Sequence, residues 1–269
     1  MEKKISYGVM LLYVLMLTTG CKKDSLTMNK SVQETITGYF DIKDQLNNNG
    51  SIGFNAYKTN FGENAGTVYQ INGALKDVNG TQLNLGKLMV NDIAIEANSQ
   101  GRYNTGGQLM DQVKTFFGKE VNLKSYKPKA DLSIRDVELV LEGNLKLPMD
   151  IFVSSPTLAS TGRSINRRQV VTWNADPNNT RKVVIAIVFD LTKQDNKSLN
   201  SNRPTANYIE VNDNGQYQLT PDNFKNIPNK ATISIFVARG NYTKVTSTNG
   251  KEKYTIYGYS VAEQKFILE

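Results

Sequence analysis

The most distinctive polar group in the chain surrounds its single tryptophan. Trp173 is followed directly by Asn174 and, after one alanine, by Asp176. An exposed indole ring in this setting can stack on a sugar ring while the neighbouring amide and carboxylate bind the sugar hydroxyls. The alternative, which we favour, is a buried tryptophan that leads into a turn, because Asp before proline is typical of turns. Asp176 also offers oxygen ligands for Ca²⁺, but the residues around it lack the spacing of a calcium loop.

A second candidate group is the pair Arg239 and Tyr242, which follows a long apolar run. A guanidinium beside an aromatic ring can bind an anionic ligand or a sugar. The more ordinary interpretation is that Arg239 ends a strand at the solvent. Together with Trp173, Asn174 and Asp176, this pair makes up the predicted ligand-binding residues.

Catalysis and metal binding have few candidate residues. The chain contains no histidine and one cysteine, which excludes Ser-His-Asp triads, Cys-His dyads and histidine-ligated metals. A glycosidase needs only two acids on either side of one bond. Asp176, Glu210, Asp213 and Asp222 could supply them, although their spacing pairs no two. We therefore predict a protein that is not an enzyme and has no cofactor or metal, with a carboxylate-dependent glycan hydrolase as the alternative.

The elements that position these residues are predicted to be strands. Short runs of β-branched and aromatic residues alternate with turn residues, a pattern typical of β proteins. The fold class predicted is mainly β with little helix. In the second half of the chain the runs cover residues 149–154, 169–173, 182–189, 206–211, 216–219, 231–238, 254–261 and 265–268.

The number of runs fits a sandwich of two sheets. Trp173, at the end of a run, resembles the buried tryptophan of immunoglobulin-like and fibronectin-type modules. That resemblance implies an immunoglobulin-like sandwich over residues 129–269. The inter-sheet cysteines of true immunoglobulin domains are missing. Residues 36–128 are predicted to form a separate β-rich domain, which ends at the charged, proline-containing stretch around Pro128 and carries one amphipathic helix within Gly107–Gly118.

The N-terminus carries the order charge, apolar run, small residues, cysteine. Lys3 and Lys4 precede an apolar stretch over residues 5–17, and Thr19 and Gly20 precede Cys21. The apolar stretch is shorter than the roughly 20 residues of a spanning helix. The pattern resembles the signal of bacterial lipoproteins of the Bacteroidota style. That resemblance implies that residues 1–20 are removed, that Cys21 is lipidated, and that residues 21–35 form a flexible tether.

The implied location is the outer membrane, on either the periplasmic or the cell-surface side. The formal net charge is +7, but the basic residues are scattered, and an exported protein is a poor candidate for nucleic-acid binding. The expected partners are the membrane, through the N-terminal lipid, and a glycan or an envelope protein. We therefore predict a binding or scaffolding role, with an assembly component of an adhesion or secretion machine, joined through edge strands, as a further alternative.

Overall fold

A computed structural model describes residues 49–62, 66–105, 109–128, 137–157, 164–189 and 205–269. The predicted signal peptide, Cys21 and the predicted tether lie outside these ranges. The described chain is mainly β, which confirms the predicted fold class, whereas the immunoglobulin-like arrangement of residues 129–269 stays a prediction. The strands are β1 (Gly50–Lys58), β2 (Thr67–Leu75), β3 (Lys87–Val90), β4 (Ile93–Glu96), β5 (Tyr103–Asn104), β6 (Glu120–Pro128), β7 (Val137–Lys146), β8 (Val153–Ser155), β9 (Ser164–Ile165), β10 (Val170–Trp173), β11 (Val183–Phe189), β12 (Thr205–Val211), β13 (Gln216–Gln218), β14 (Thr232–Thr246) and β15 (Lys253–Leu268).

The largest sheet is built around the hairpin of β14 and β15. Its order is β12-β11-β14-β15-β1-β2-β5, and β9 pairs with β15 beside this path. β1 runs parallel to β15, with Phe54 opposite Gly258, whereas β2 returns antiparallel to β1. Strands from both sides of residue 128, the predicted boundary, therefore share one sheet, which we call the central sheet.

Two smaller sheets, β4-β3-β6-β7 and β13-β10-β8, accompany the central sheet. A first apolar core joins β1 and β2 to the four-stranded sheet through residues such as Phe54, Ile71 and Leu123. A second core contains residues of β10, β11 and β14, including Trp173 and Ile235. Burying each large side chain of this kind contributes about 1.5–3 kcal/mol, so these two cores position the loops between the sheets.

Local turn chemistry follows the sequence. Gly80, Gly215 and Gly250 each follow an asparagine and adopt φ values of 79°, 87° and 77°. Glycine populates this left-handed region at little cost, which is why the Asn-Gly pairs predict tight turns. Tight turns therefore lie at 213–215 and 249–250, and the first of them lies beside Trp173.

The helix predicted within Gly107–Gly118 is short. Of its described residues, 109–118, those from Met110 to Lys114 form the α-helix α1. Phe116 follows, and its ring meets that of Phe54 edge-on at 6.1 Å between centroids. Gly118 has a φ of 80°, so it turns the chain away from the helix. A one-turn 3-10 helix at Pro221–Phe224 follows β13. Over the described ranges, no helix has the length and apolar character needed to cross a bilayer.

Candidate functional site

Arg239 lies at the centre of the candidate site, on the long strand β14. Its side chain is fully buried, with 0% exposure. Because side chains alternate along a strand, Arg239 shares a face with Ile235 and Val237 of the second core. The strand continues to Thr246. The interpretation of Arg239 as a strand end at the solvent is therefore wrong, because pairing with β15 carries the strand beyond this residue.

Two carboxylates lie against the buried guanidinium. Arg239 Nη1 is 3.3 Å from Asp213 Oδ2 and 3.9 Å from Asp176 Oδ2. Arg239 Nη2 donates to the backbone carbonyl of Asn174. Burial lowers the pKa of the guanidinium, and the carboxylates of Asp213 and Asp176 oppose that shift. An arginine stays charged in such a site, so the cation offsets two acids that would otherwise be buried alone.

Both carboxylates are also held by donors of their own. Asp176 Oδ2 accepts from the backbone N–H of Met149 at 2.9 Å, and its Oδ1 accepts from that of Asn178 at 3.0 Å. Asp213 Oδ2 accepts from Asn179 Nδ2 at 2.8 Å. The position of each acid is therefore fixed before any ligand arrives. We call Arg239, Asp176 and Asp213, with Asn174 and Trp173, the Arg239 network.

Trp173 belongs to this network through its nitrogen. Its side chain is buried, with 4% of the residue exposed, and Nε1 donates to Asp213 Oδ1 at 2.8 Å. The ring packs in the second core. It therefore has no open face on which a sugar could stack, and the structure agrees with the interpretation of a buried tryptophan before a turn.

Asn174 ties the network to the loop before β8. Its Oδ1 accepts from the backbone N–H of Phe152 at 2.6 Å, and its Nδ2 donates to the carbonyl of Asp150 at 2.9 Å. Four of the five predicted ligand-binding residues thus meet in one buried cluster. The fifth, Tyr242, lies on the opposite face of β14. There it packs with a third apolar cluster, which includes Phe236 and Ala238 of the same strand.

Tyr242 has a charged neighbour that the sequence did not indicate. The guanidinium of Arg181 lies over the Tyr242 ring, 4.1 Å from its centroid, and Arg181 Nε donates to Asn241 Oδ1 at 3.2 Å. A cation this close to an aromatic face is attracted by the ring quadrupole. Arg181 is thereby held at the start of β11, beside the loop that carries Asp176.

An open polar depression of about 350 Å³ lies above the Arg239 network. Asp176 and Asp213 reach it from below, and Lys182, whose ammonium donates to Asn212 Oδ1, stands at its edge. We call this surface the polar depression. Its lining consists of amide, hydroxyl and charged side chains with one proline: Asp176, Pro177, Asn179, Thr180, Arg181, Lys182, Asn212, Asp213 and Asn214.

A second polar cluster, missed by sequence reasoning, is centred on Asp150. Its carboxylate accepts from Tyr69 at 2.6 Å and from Ser260 at 2.6 Å, and it pairs with Lys58. Burial lowers the pKa of the Lys58 ammonium, against the opposing effect of Asp150. The members come from distant parts of the chain, so no local pattern could have indicated them. The cluster joins β1, β2 and β15 to the loop that Asn174 also holds.

The remaining acids proposed for hydrolysis lie outside the Arg239 network. Asp222 lies in the 3-10 helix at the surface, one residue after its start at Pro221, and Glu210 is an exposed residue of β12. Among the residues that the structure describes, no group of three or more His, Cys, Asp and Glu side chains could hold a metal ion. The carboxylates that do come together, those of Asp176 and Asp213, meet around a cation.

No family model, curated protein or solved structure matches the chain. The polar depression and the Arg239 network below it combine accessible hydrogen-bonding groups with buried side chains that are held in place.

Proposed function

We propose that the protein is a lipid-anchored lipoprotein of the outer membrane that binds acidic glycan at the polar depression. The anchor is proposed from the order of residues that ends at Cys21. The binding role is proposed from one observation: amides and two cations surround an open depression whose base is fixed by Arg239. We propose that this role is non-catalytic, because Asp176 and Asp213 are held by Arg239.

The chemistry of the lining favours a ligand with hydroxyls and negative charge. The amide nitrogens of Asn212 and Asn214 offer N–H donors that suit sugar hydroxyls, and Asn179 Nδ2 has a second N–H besides the one donated to Asp213. Arg181 and Lys182 suit a carboxylate or a sulfate. A uronic-acid polymer, or another acidic polysaccharide, presents both kinds of group on each repeat.

The base of the depression lowers the cost of binding. Asp176 and Asp213 are held by Arg239 and by their own hydrogen-bond donors. The loop that follows Asp176 is therefore ordered at its first residue before a ligand binds. Groups that are ordered before binding lose less conformational entropy on association. Since Trp173 is buried and Arg181 covers Tyr242, polar contacts rather than ring stacking would provide the affinity, and that affinity would fall with salt.

The hydrolase alternative receives less support from this geometry. A general acid needs a carboxyl free to give a proton to the leaving group. The oxygens of Asp176 and Asp213 instead accept from backbone N–H groups, from Trp173 Nε1 and from Asn179 Nδ2. These contacts suit acids that hold loops in place, so we propose binding without bond cleavage.

Binding is tested with the mature protein and two soluble polymers, polygalacturonate as the acidic probe and dextran as the neutral one. We expect binding to polygalacturonate only, and a loss of about fivefold in the Lys182→Ala variant, the effect of about 1 kcal/mol from one partly exposed charge. Lys251→Ala, in the exposed turn between β14 and β15, is the matched control and should bind normally. Equal binding by both variants, or no binding at all, would contradict the proposal.

The anchor is tested separately in bacterial cells that express the full chain. An alkyne fatty acid should label the wild-type protein and leave Cys21→Ser unlabelled, because Cys21 is the single thiol in the sequence. The labelled protein should enter the detergent phase on partitioning, since two or three acyl chains hold a protein durably in a bilayer. Labelling of the variant, or an unlabelled wild type that stays in the aqueous phase, would rule out the anchor.

A further inference from the structure

The guanidinium of Arg181 is held in place at one end and open at the other. Over the described ranges its side chain donates a hydrogen bond through Nε only, to Asn241 Oδ1, and it forms no ion pair. The terminal nitrogens, Nη1 and Nη2, therefore keep their N–H donors for other acceptors. Because Arg181 is half-buried and lines the polar depression, these donors belong to an accessible surface.

Three contacts fix the position of this guanidinium. Its central carbon lies 4.1 Å from the centroid of the Tyr242 ring, and Nε donates to Asn241 Oδ1 at 3.2 Å. Asn241 is itself anchored, because its Nδ2 donates to the carbonyl of Lys146 at 3.0 Å. The backbone N–H of Arg181 donates to Asn179 Oδ1 at 3.0 Å. A side chain that is ordered before a ligand arrives loses less conformational entropy on binding.

A second arginine shows what such a guanidinium does when its acceptors come from the protein. Arg167 also lies over a ring, that of Phe224, at 5.5 Å. Its Nη1 and Nη2 donate to the carbonyls of Phe224 and Ile227, so Arg167 holds a loop. In the part of the chain that the structure describes, no carbonyl or carboxylate accepts from the same nitrogens of Arg181. Arg181 thus keeps the donors that Arg167 uses within the fold.

We propose that Arg181 selects the acidic sugar, with Nη1 and Nη2 binding one carboxylate of the glycan through two parallel hydrogen bonds. This inference rests on the proposed function and names the residue responsible for the recognition. Since Nε is taken by Asn241, the edge between the two terminal nitrogens is the one left for a planar carboxylate. Lys182 contributes differently, because its ammonium is an exposed point charge without a fork.

The acids of the polar depression do not neutralise Arg181. Asp176 and Asp213 line the same depression, but both lie against Arg239 below it. The charge of Arg181 is therefore available to an anionic ligand. A methyl-esterified sugar has the same hydroxyls but no carboxylate, so it cannot make the charge-assisted pair of hydrogen bonds. We expect binding to depend on the free carboxylate rather than on the hydroxyls of the sugar.

An exchange of arginine for lysine separates the bidentate contact from simple charge. The affinity of the mature protein for a galacturonate oligosaccharide is measured by isothermal titration calorimetry, with the fully methyl-esterified oligosaccharide as the uncharged probe. Arg181→Lys keeps the charge but removes the fork, so we expect the dissociation constant to rise about tenfold. The same exchange at Arg168, which is exposed before β10, should leave it within about twofold of the wild type. The esterified probe should not bind.

Tyr242 is a positioning residue for Arg181, and a double-mutant cycle tests this role. Tyr242→Leu removes the aromatic face and should raise the dissociation constant about threefold. In the Arg181→Lys background the same change should have almost no effect, because the fork that the ring positions is already absent. Tyr242→Phe keeps the ring and should restore the affinity. Equal losses in the two backgrounds would overturn the positioning role, since the ring would then act on the fold alone.

The proposal for Arg181 and the proposed function fail in different ways. If the wild type and Arg181→Lys bind the oligosaccharide equally, or if the esterified probe binds as well, the proposal is overturned and glycan binding stands. If the wild type does not bind the oligosaccharide, the proposed function fails, and sodium acetate decides about Arg181. A shift of the Arg181 Nε–Hε NMR signal with acetate, and not with sodium chloride, would support the carboxylate site. No such shift would overturn it.

Discussion

Arg239 Nη1 lies 3.3 Å from Asp213 Oδ2, and the two side chains are 0% and 3% exposed. Arg239 belongs to the middle of β14, whereas Asp213 belongs to the turn between β12 and β13. A pair of this kind does little for net stability when intact, because both charges have lost their water. Removing one partner lowers the free energy of unfolding far more, because the other charge is then buried alone. Substitutions in this pair therefore test whether it holds the residues below the polar depression in place.

The first prediction concerns Arg239→Met. The variant keeps most of the side-chain volume but leaves Asp176 and Asp213 buried without their cation. We expect the free energy of unfolding to fall by about 3–5 kcal/mol in urea denaturation. Arg168→Met, at an exposed position, should change it by no more than about 0.5 kcal/mol. Similar values for the two variants would mean that the buried pair does not organise this region.

The second prediction separates a structural tryptophan from a sugar-stacking one. Trp173→Phe keeps an aromatic ring but removes the N–H that Asp213 accepts at 2.8 Å. We expect a loss of about 1.5–3 kcal/mol in unfolding free energy, the value for a hydrogen bond to a charged group. At temperatures where the variant is folded, its affinity for polygalacturonate should stay within about twofold of the wild type. A large loss of affinity with unchanged stability would favour stacking.

The third prediction is a pH dependence in the turn between β14 and β15. Ser247 Oγ donates to Glu252 Oε2 at 2.7 Å, and this hydrogen bond holds the pKa of Glu252 below its usual range. A carboxyl with a lowered pKa in the folded state stabilises the protein above its unfolded-state pKa. That contribution is lost as the pH falls through the lowered value.

Glu252→Gln should therefore lower the melting temperature at pH 7, and the difference from the wild type should shrink toward zero in strong acid. Melting curves across the acid range check this, with Glu210→Gln, at an exposed position of β12, as the control. A difference that grew as the pH fell would have the wrong sign for this hydrogen bond.

The fourth prediction concerns the close packing of β1 on β15. A Cβ added at Gly53 would meet the Tyr257 ring, whereas one added at Gly66 would meet nothing within 4 Å. Overpacking of this kind costs about 1–3 kcal/mol. Gly53→Ala should therefore lower the unfolding free energy by that amount in urea, and Gly66→Ala should leave it nearly unchanged. Equal effects would indicate that Tyr257 moves away freely.

Local features of the fold could be predicted from the sequence. The apolar run at 182–189 became β11 (Val183–Phe189), and the Asn-Gly pair at 249–250 became the turn that joins β14 to β15. Each depends on neighbouring residues only, on β-branched side chains in one case and on positive φ in the other. A strand or a turn of this kind can therefore be recognised from a few consecutive residues.

Pairing over long distances could not be predicted in this way. β1 pairs with β15, about two hundred residues later in the chain, and a strand's own alternation does not name its partner. Arg239 followed by Gly240 resembled the end of an apolar run, but pairing with β15 continues the strand through both. The same limit hid the site, because Asp213 and Asp176 meet Arg239 only after three separate segments have packed together.

The binding of acidic glycan at the polar depression is tested most directly by a two-dimensional amide NMR titration of the mature protein with a galacturonate oligosaccharide. We expect the shift changes to concentrate in the loop at 179–182 and the turn at 212–214, which line the depression, and to weaken as salt is added. Shift changes confined to other surfaces, or none at saturating ligand, would contradict the account.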